Sequence, residues 1–421
     1  MKKYISSFIL FMILVSSCNL DLNPHSAVSP GSVGVQDIEA LRSGMYSNVQ
    51  ELPGTESYIM FDLFGGELTT KQSTNSLDLI NSLSSANNGL MEDAWQGYYK
   101  ALMQVNNVFT IAQELPSGNL KNQVLGECHY FRAYLHLCLV TRYGDVPLMK
   151  FNTDEEVSRT PASEVWSFIN EELGYAIELL PSKYSINYLS TEAARALKAR
   201  VALYMGNKKE AGELAESLIA DASYGLDDYE KIFRGGNNSE VIFAFSCLTI
   251  ESSISISALF YSYNHPNSGS YVYAPAKEVM SMYADSDKRK EVSITTMDNL
   301  NFINKYPSGQ KGTDPVVISR LGEMYLISAE ALGLAEGLGR LNELRAFRGL
   351  PAVYPATEAA FIDAVLDERR LELLCEGHRW YDLVRTGKAI EKLNILEYQT
   401  LMPIPESERQ VNKNLGQNDG Y

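Results

Sequence analysis

The chain has 421 residues, 45% of them apolar, which is enough for a large buried core and, at roughly 100–200 residues per domain, for two or three domain-sized units. Its 36 Lys and Arg against 52 Asp and Glu give a formal charge of -16, which excludes a protein that works by neutralising phosphates; nucleic acid is not an expected partner. With 29 glycines and 15 prolines the composition also excludes disordered and collagen-like chains.

At the N-terminus, Lys2 and Lys3 precede an apolar run from Ile5 through Val15, and Ser16 and Ser17 follow. This is the pattern of an export signal over residues 1–17. The run is well short of the roughly 20 residues that span a bilayer as a helix, so it is expected to be cleaved rather than kept. Leu14-Val15-Ser16-Ser17-Cys18 resembles a bacterial lipobox, which makes Cys18 the expected lipidation site and residues 18–30 a lipidated tether. More than one acyl chain would make attachment lasting. A strongly acidic surface is repelled by anionic lipid, so the protein is expected to hang from its lipid rather than lie on the headgroups.

Residues 31–421 are expected to form one unit, a helical scaffold with irregular insertions at about 53–88 and 235–318. Cys128 and Cys138 fall on one predicted helix, about 15 Å apart at 1.5 Å per residue, too far to bridge. With Cys247 and Cys375 they are expected to be buried free thiols. Thr160-Pro161 looks like an N-cap followed by proline at the first helical position; Val165, Ile169, Leu173 and Ile177 then recur at i,i+4 until Leu180-Pro181. Residues 191–206 predict a further helix, closed by Gly206-Asn207, and 208–220 another, making an antiparallel pair. Val241–Phe245 is a predicted strand within the second insertion.

The helix pair resembles a tetratricopeptide repeat in Ala199, Ala202, Tyr204, Gly206, Ala211 and Ala215. A partial second copy starts at Arg320-Leu321-Gly322-Glu323-Met324-Tyr325 and continues through Leu341–Arg345. The expected fold is therefore all-α: a tetratricopeptide-like helical-repeat scaffold carrying an irregular, loop-rich ligand-binding lobe with minor β structure.

Several segments, in order, resemble the SusD-like (RagB/SusD) family of outer-membrane lipoproteins. They are Cys18-Asn19-Leu20-Asp21-Leu22-Asn23-Pro24, Phe131-Arg132-Ala133-Tyr134, Arg142-Tyr143-Gly144-Asp145-Val146-Pro147-Leu148 and Arg320–Glu330. The C-terminal part carries Glu368-Arg369-Arg370-Leu371-Glu372-Leu373, then Glu376-Gly377-His378-Arg379-Trp380-Tyr381-Asp382-Leu383, and finally Pro403-Ile404-Pro405 ahead of Asn412 to Tyr421. Two departures are a short stretch between Glu330 and Leu341 and Gly420 where proline is common. The resemblance implies a nutrient-binding protein facing the cell exterior, lipid-anchored in the outer membrane. It also implies delivery of a glycan or oligosaccharide to a SusC-like TonB-dependent transporter, with no catalysis and no cofactor beyond the lipid on Cys18.

The residues themselves give an enzyme no positive support. There is no phosphate-cradling glycine loop, nucleophile elbow or H-E-x-x-H zinc motif. The crowded charges at Glu368, Arg369, Glu372, Glu376, His378, Arg379 and Asp382 are expected to be ion pairs along and between helices, with a turn at Gly377 that lets Trp380 pack inward. His378 has no second ligand at metal spacing, and His129 and His136 lie on an apolar helix where burial or a hydrogen bond suffices. The acidic pairs Asp227/Asp228 and Asp285/Asp287 are expected to be solvated surface.

Glycan recognition needs flat apolar faces for sugar C–H surfaces and polar groups for hydroxyls, and tyrosine offers both. Tyr261, Tyr263, Tyr271 and Tyr273 lie in a segment interleaved with amides and hydroxyls; extended backbone would put each i,i+2 pair on one face. The alternative is a hairpin whose tyrosines pack on the helical frame. Trp95 is a further candidate, or core, and Tyr58, Phe61 and Phe64 are weaker ones. Glycan capture for import is the first expectation, followed by peptide import by the same architecture and then by a helical-repeat envelope scaffold.

Overall fold

The computed structural model describes residues 34–70, 74–81, 84–183, 185–234, 237–247 and 253–421. The expected signal 1–17, Cys18 and the tether 18–30 lie outside the described residues.

Eight helices form the frame: α1 (Ile38–Glu51), α2 (Gly89–Gln113), α3 (Asn119–Tyr143), α4 (Ala162–Leu179), α5 (Thr191–Tyr204), α6 (Lys208–Ile219), α7 (Leu321–Phe347) and α8 (Glu358–Glu372). Each packs on the next, so the frame is one row of sequential neighbours, as in helical-repeat proteins. The apolar period is what buries each face: Val165, Ile169 and Leu173 of α4 are fully buried, and Ile177 packs at the margin of the same core. Side chains close the helix starts, with Asn88 accepting from the Leu90 and Met91 N–H groups and Ser190 from that of Ala193.

At α4 the cap differs from expectation. Thr160 forms an isolated β-bridge with Val146, and Asp145 Oδ1 accepts the Ala162 N–H at 2.8 Å. Proline cannot donate, so the first free N–H belongs to Ala162 and a carboxylate from the preceding loop takes it. The short Glu330–Leu341 stretch also has a local cause. Gly333 adopts φ 71° and ψ -177°, breaking α7 into two helical arms, and Glu358 Oε2 accepts the Leu334 N–H at 3.0 Å where the second arm begins.

The chain leaves the row twice, between α1 and α2 and between α6 and α7, and these excursions contain the two irregular segments. They carry more regular structure than their composition suggests. The first holds short helices at Met60–Phe64 and Thr74–Ile80 and the strand β1 (Leu68–Thr70). The second holds β2 (Val241–Phe245), β3 (Tyr273–Pro275), β4 (Ile294–Met297), β5 (Leu300–Ile303) and β6 (Val316–Arg320). β2 pairs antiparallel with β6 through register shifts around Phe243, closing the base of the second excursion just where α7 starts.

Beneath this base lies the charged C-terminal block. Glu372 meets Arg320 at 2.6 Å, Arg289 at 2.7 Å and Arg348 at 2.8 Å, all with side chains no more than 1% exposed. Lys305 meets Glu376 at 2.6 Å, and Arg369 meets Asp382 at 2.7 Å. Burial alone would raise the Glu372 carboxyl, but Arg348, Arg320 and Arg289 hold it well below the usual range. The expectation of structural ion pairs holds, although most partners come from other elements rather than from the same helix. Arg289 and Lys305 belong to the second excursion, so the cluster ties it to the ends of α7 and α8. The turn at Gly377 brings Trp380 inward, fully buried against Phe61 and Phe64.

Candidate functional site

The two irregular segments are one lobe. β1 pairs antiparallel with β3 in the register Leu68–Pro275, Thr69–Ala274 and Thr70–Tyr273. Side chains reinforce the seam: Thr70 Oγ1 donates to the Val272 carbonyl at 2.6 Å, and the Ser76 and Tyr273 hydroxyls lie 2.7 Å apart. The Ala276 N–H donates to the Glu67 carbonyl. A three-residue strand has little intrinsic stability, so its partner just over 200 residues away decides whether it forms.

The tyrosines do not pair as the i,i+2 spacing suggests. Residues 257–259 form a 3-10 turn rather than extended chain, so Tyr261 points inward, fully buried, while Tyr263 is 79% exposed. Tyr271 has φ 48°, which breaks the alternation, and Tyr273 is 1% exposed in β3. Tyr261 stacks on His265 with centroids 4.4 Å apart, and Phe302 of β5 packs on Tyr261, His265 and Tyr271. Hydroxyls then fix the rings, with Tyr261 donating to Asn304 Oδ1 at 2.8 Å and Tyr271 to the Asn301 carbonyl at 3.0 Å. His265 Nδ1 accepts the Asn267 N–H at 3.1 Å, and burial lowers its pKa. The loop is therefore rigid, and Tyr263 is the ring it presents to solvent.

The structure places Trp95, Phe61 and Phe64 in the core and Tyr58 half-buried against it. Trp95 is 2% exposed, edge-on to Tyr143 at 4.7 Å and against Tyr99 at 5.1 Å. It sits on a helix that packs against both α1 and α3, so its face has no route to solvent. Phe61 and Phe64 are equally buried, and the Tyr58 hydroxyl donates to the Gln50 carbonyl.

Beside the tyrosine loop runs a groove of about 530 Å³. One wall is Pro266, Asn267 and Ser268; the other is the loop from Pro307 to Pro315, and Phe233 and Arg234 close one end. The volume falls in the range of small-molecule sites. Asp314 organises the second wall: both its oxygens accept the Ser308 N–H at 3.1 Å, and the Ser308 hydroxyl also donates to it. The two walls touch where the Gln310 N–H donates to the Ser268 carbonyl at 3.1 Å. Gly309 makes this possible, since at φ 58° a Cβ there would lie 1.5 Å from the Asn267 carbonyl oxygen. Ser268, at φ 48°, is the strained partner on the opposite wall. The Ser268 hydroxyl reaches the Tyr263 carbonyl at 3.3 Å, so the exposed ring stands on the wall's own loop.

Arg234, Asn267, Gln310 and Lys311 are the groove residues that sequence reasoning missed. The run Pro307-Ser308-Gly309-Gln310-Lys311-Gly312-Thr313-Asp314-Pro315 was the available signal: nine residues without an apolar side chain beyond proline, set against the β-branched run that becomes β6.

Comparisons with known proteins agree on one family. A model described as "SusD family" matches residues 271–400, and one described as "Starch-binding associating with outer membrane" matches residues 20–203. SusD-like protein P2 of Formosa agariphila is 26% identical over the full length of both chains. A SusD superfamily protein from Bacteroides vulgatus superposes with a TM-score of 0.83 at 20% identity, over 92% of this chain and 99% of that one. A laminarin-binding SusD-like protein does so with a TM-score of 0.79 at 23% identity, over 92% of this chain and all of the other. At these identities the likeness to the solved structures is one of fold.

Proposed function

Since the chain belongs to the SusD-like family, we propose that it is a lipid-anchored outer-membrane protein that captures a glycan or oligosaccharide outside the cell and hands it to a TonB-dependent transporter. The observation that carries this reading is the groove: amide, hydroxyl and charged side chains on two cross-braced walls, with the exposed Tyr263 ring on the loop that supplies one of them, beside the groove's own lining. A sugar ring offers C–H faces to an aromatic surface and hydroxyls to amides, and this loop and groove carry both kinds of group. A laminarin-binding relative of the same fold supports a glycan as the ligand class.

In this reading the protein is a binder and does no chemistry. The lipid on Cys18 keeps it near its transporter, and the tether over residues 18–30 gives it room to move. An anchored binder needs only modest affinity, because tethering raises the effective concentration at the partner.

Calorimetric titration of a soluble form lacking residues 1–18, against a panel of glycans and peptides, tests the proposal. Binding of one glycan class, weakened in Tyr263→Ala with the melting temperature unchanged, is the expected result. Peptide binding with no glycan binding would overturn it in favour of peptide import, and release of cleaved sugar would overturn the binder reading.

A further inference from the structure

The groove's charge is opposite in sign to that of the whole chain. The chain carries -16 overall, yet the groove's ionisable side chains are Arg234, Lys311 and Asp314, two cations to one carboxylate. The carboxylate is spent on its own loop, held by the Ser308 N–H and hydroxyl. Lys311 is exposed and forms no ion pair among the described residues. Arg234, at the C-terminal end of the short helix Tyr229–Phe233, donates to the Asn304 carbonyl at 3.4 Å and meets Glu230 at 3.3 Å, with side chains 28% and 55% exposed. Such a surface pair is worth at most about 1 kcal/mol, so the guanidinium can turn to a better partner at little cost. Gln310 and Asn267 add neutral amides between the cations.

We infer that the groove takes an acidic oligosaccharide, one whose sugar units carry a carboxylate or a sulfate ester, held by Lys311 and Arg234 while its ring faces and hydroxyls meet Tyr263, Asn267 and Gln310. The inference rests on the glycan-capture reading of the same groove. It favours a short acidic chain over a long one. Beyond about 8 Å at physiological ionic strength the surrounding negative surface is screened, but a polyanion lying across it would still meet unfavourable charges at close range. In the groove an anion gains a direct charge-assisted contact, and such contacts are roughly twice as strong as neutral ones.

The test compares three probes on the same lipid-free chain: oligogalacturonides for the carboxylate, carrageenan oligosaccharides for the sulfate ester, and laminarin oligosaccharides as neutral sugars. One acidic probe should bind at least about tenfold tighter than the neutral one, and Lys311→Ala and Arg234→Ala should each weaken it about tenfold. The melting temperature should not change, since both side chains are at the surface, and the loss of affinity should be larger for the acidic probe than for the neutral one. Whichever acidic probe responds identifies the anion. Equal or tighter binding of the neutral probe, unaffected by Lys311→Ala, overturns the acidic assignment and leaves glycan capture standing. Silence toward all three probes overturns both readings.

Discussion

From Tyr130 to Leu137, α3 is buried on every side, and what it buries is mostly apolar: Phe131, Ala133, Leu135 and Leu137 against the neighbouring helices. Across residues 254–315 the lobe is held differently. There Ser257, Arg289 and Lys305 are as deeply buried as any leucine, and each is matched to polar partners drawn from elsewhere in the chain: Ser257 to Tyr306 and Gly309, Arg289 to Glu372, and Lys305 to Leu374 and Glu376. Apolar packing is non-directional and follows a local period, so a helix can form its face before its neighbour is in place. Buried ions and hydroxyls stabilise only when every partner has arrived. The frame should therefore tolerate loss of a contact in proportion to volume, while the lobe should fail sharply when one shared charge is removed.

The largest effect is expected at Glu372. Replacing it by alanine leaves Arg289, Arg320 and Arg348 buried around a missing carboxylate, and removal of one partner from a buried pair costs about 3–5 kcal/mol. Urea denaturation should show this loss. A drop below about 1 kcal/mol would break the comparison, because the cluster would then be incidental to the lobe's attachment. In the frame, Leu173→Ala opens a cavity at a fully buried position of α4 and should cost about 3 kcal/mol, with the lobe's ligand binding unchanged.

The same contrast explains which parts could be read in advance. The α4 stripe, the α5–α6 pair and the strand Val241–Phe245 were legible because period and β-branching are properties of short windows. β1, β3 and β6 were not, since each is short and depends on a partner distant in sequence. The tyrosine segment was located as irregular, but its i,i+2 spacing pointed to extended backbone. The turn at Ser257–Leu259 and the left-handed Tyr271 are set by contacts with residues 301–309, which no local window contains. The C-terminal charges were recognised as structural, whereas their main partners, Arg289, Lys305, Arg320 and Arg348, lie too far away for helical spacing to reveal.

A smaller effect should appear on acidification, and it probes a polar group buried within the frame, His136. His136 Nδ1 donates to the Arg132 carbonyl at 2.8 Å, and Nε2 accepts the Met149 N–H at 3.3 Å, so both nitrogens are matched in the neutral ring. Burial pushes its pKa down to about 4 from the ordinary 6.5. The unfolded chain therefore binds the proton more readily over that interval. The stabilisation from His136 is complete above pH 6.5 and is lost as pH falls toward 4, approaching about 3 kcal/mol. Nitrogen chemical shifts should show the His136 ring neutral at pH 5; a protonated ring at that pH would mean that this part of α3 is solvated.

The smallest expected change in stability is at Tyr263, and it sharpens the comparison inside the lobe. Tyr261 and Tyr263 are two residues apart and chemically identical, yet one is fully buried and the other 79% exposed. Tyr261→Phe removes the donor to Asn304 Oδ1 and should cost about 1 kcal/mol, because the amide oxygen loses its partner while the ring's packing on His265 and Phe302 remains. Tyr263→Ala should stay within about 0.5 kcal/mol of the parent, as for most surface substitutions, while weakening glycan binding. If Tyr263→Ala instead destabilises the fold by more than Tyr261→Phe, the exposed ring is a structural element of the lobe. If it leaves both stability and binding untouched, recognition belongs to the groove's amides and cations alone. The stabilities of the two variants, read together with ligand affinity, thus separate the tyrosine that builds the site from the one that is offered to the ligand.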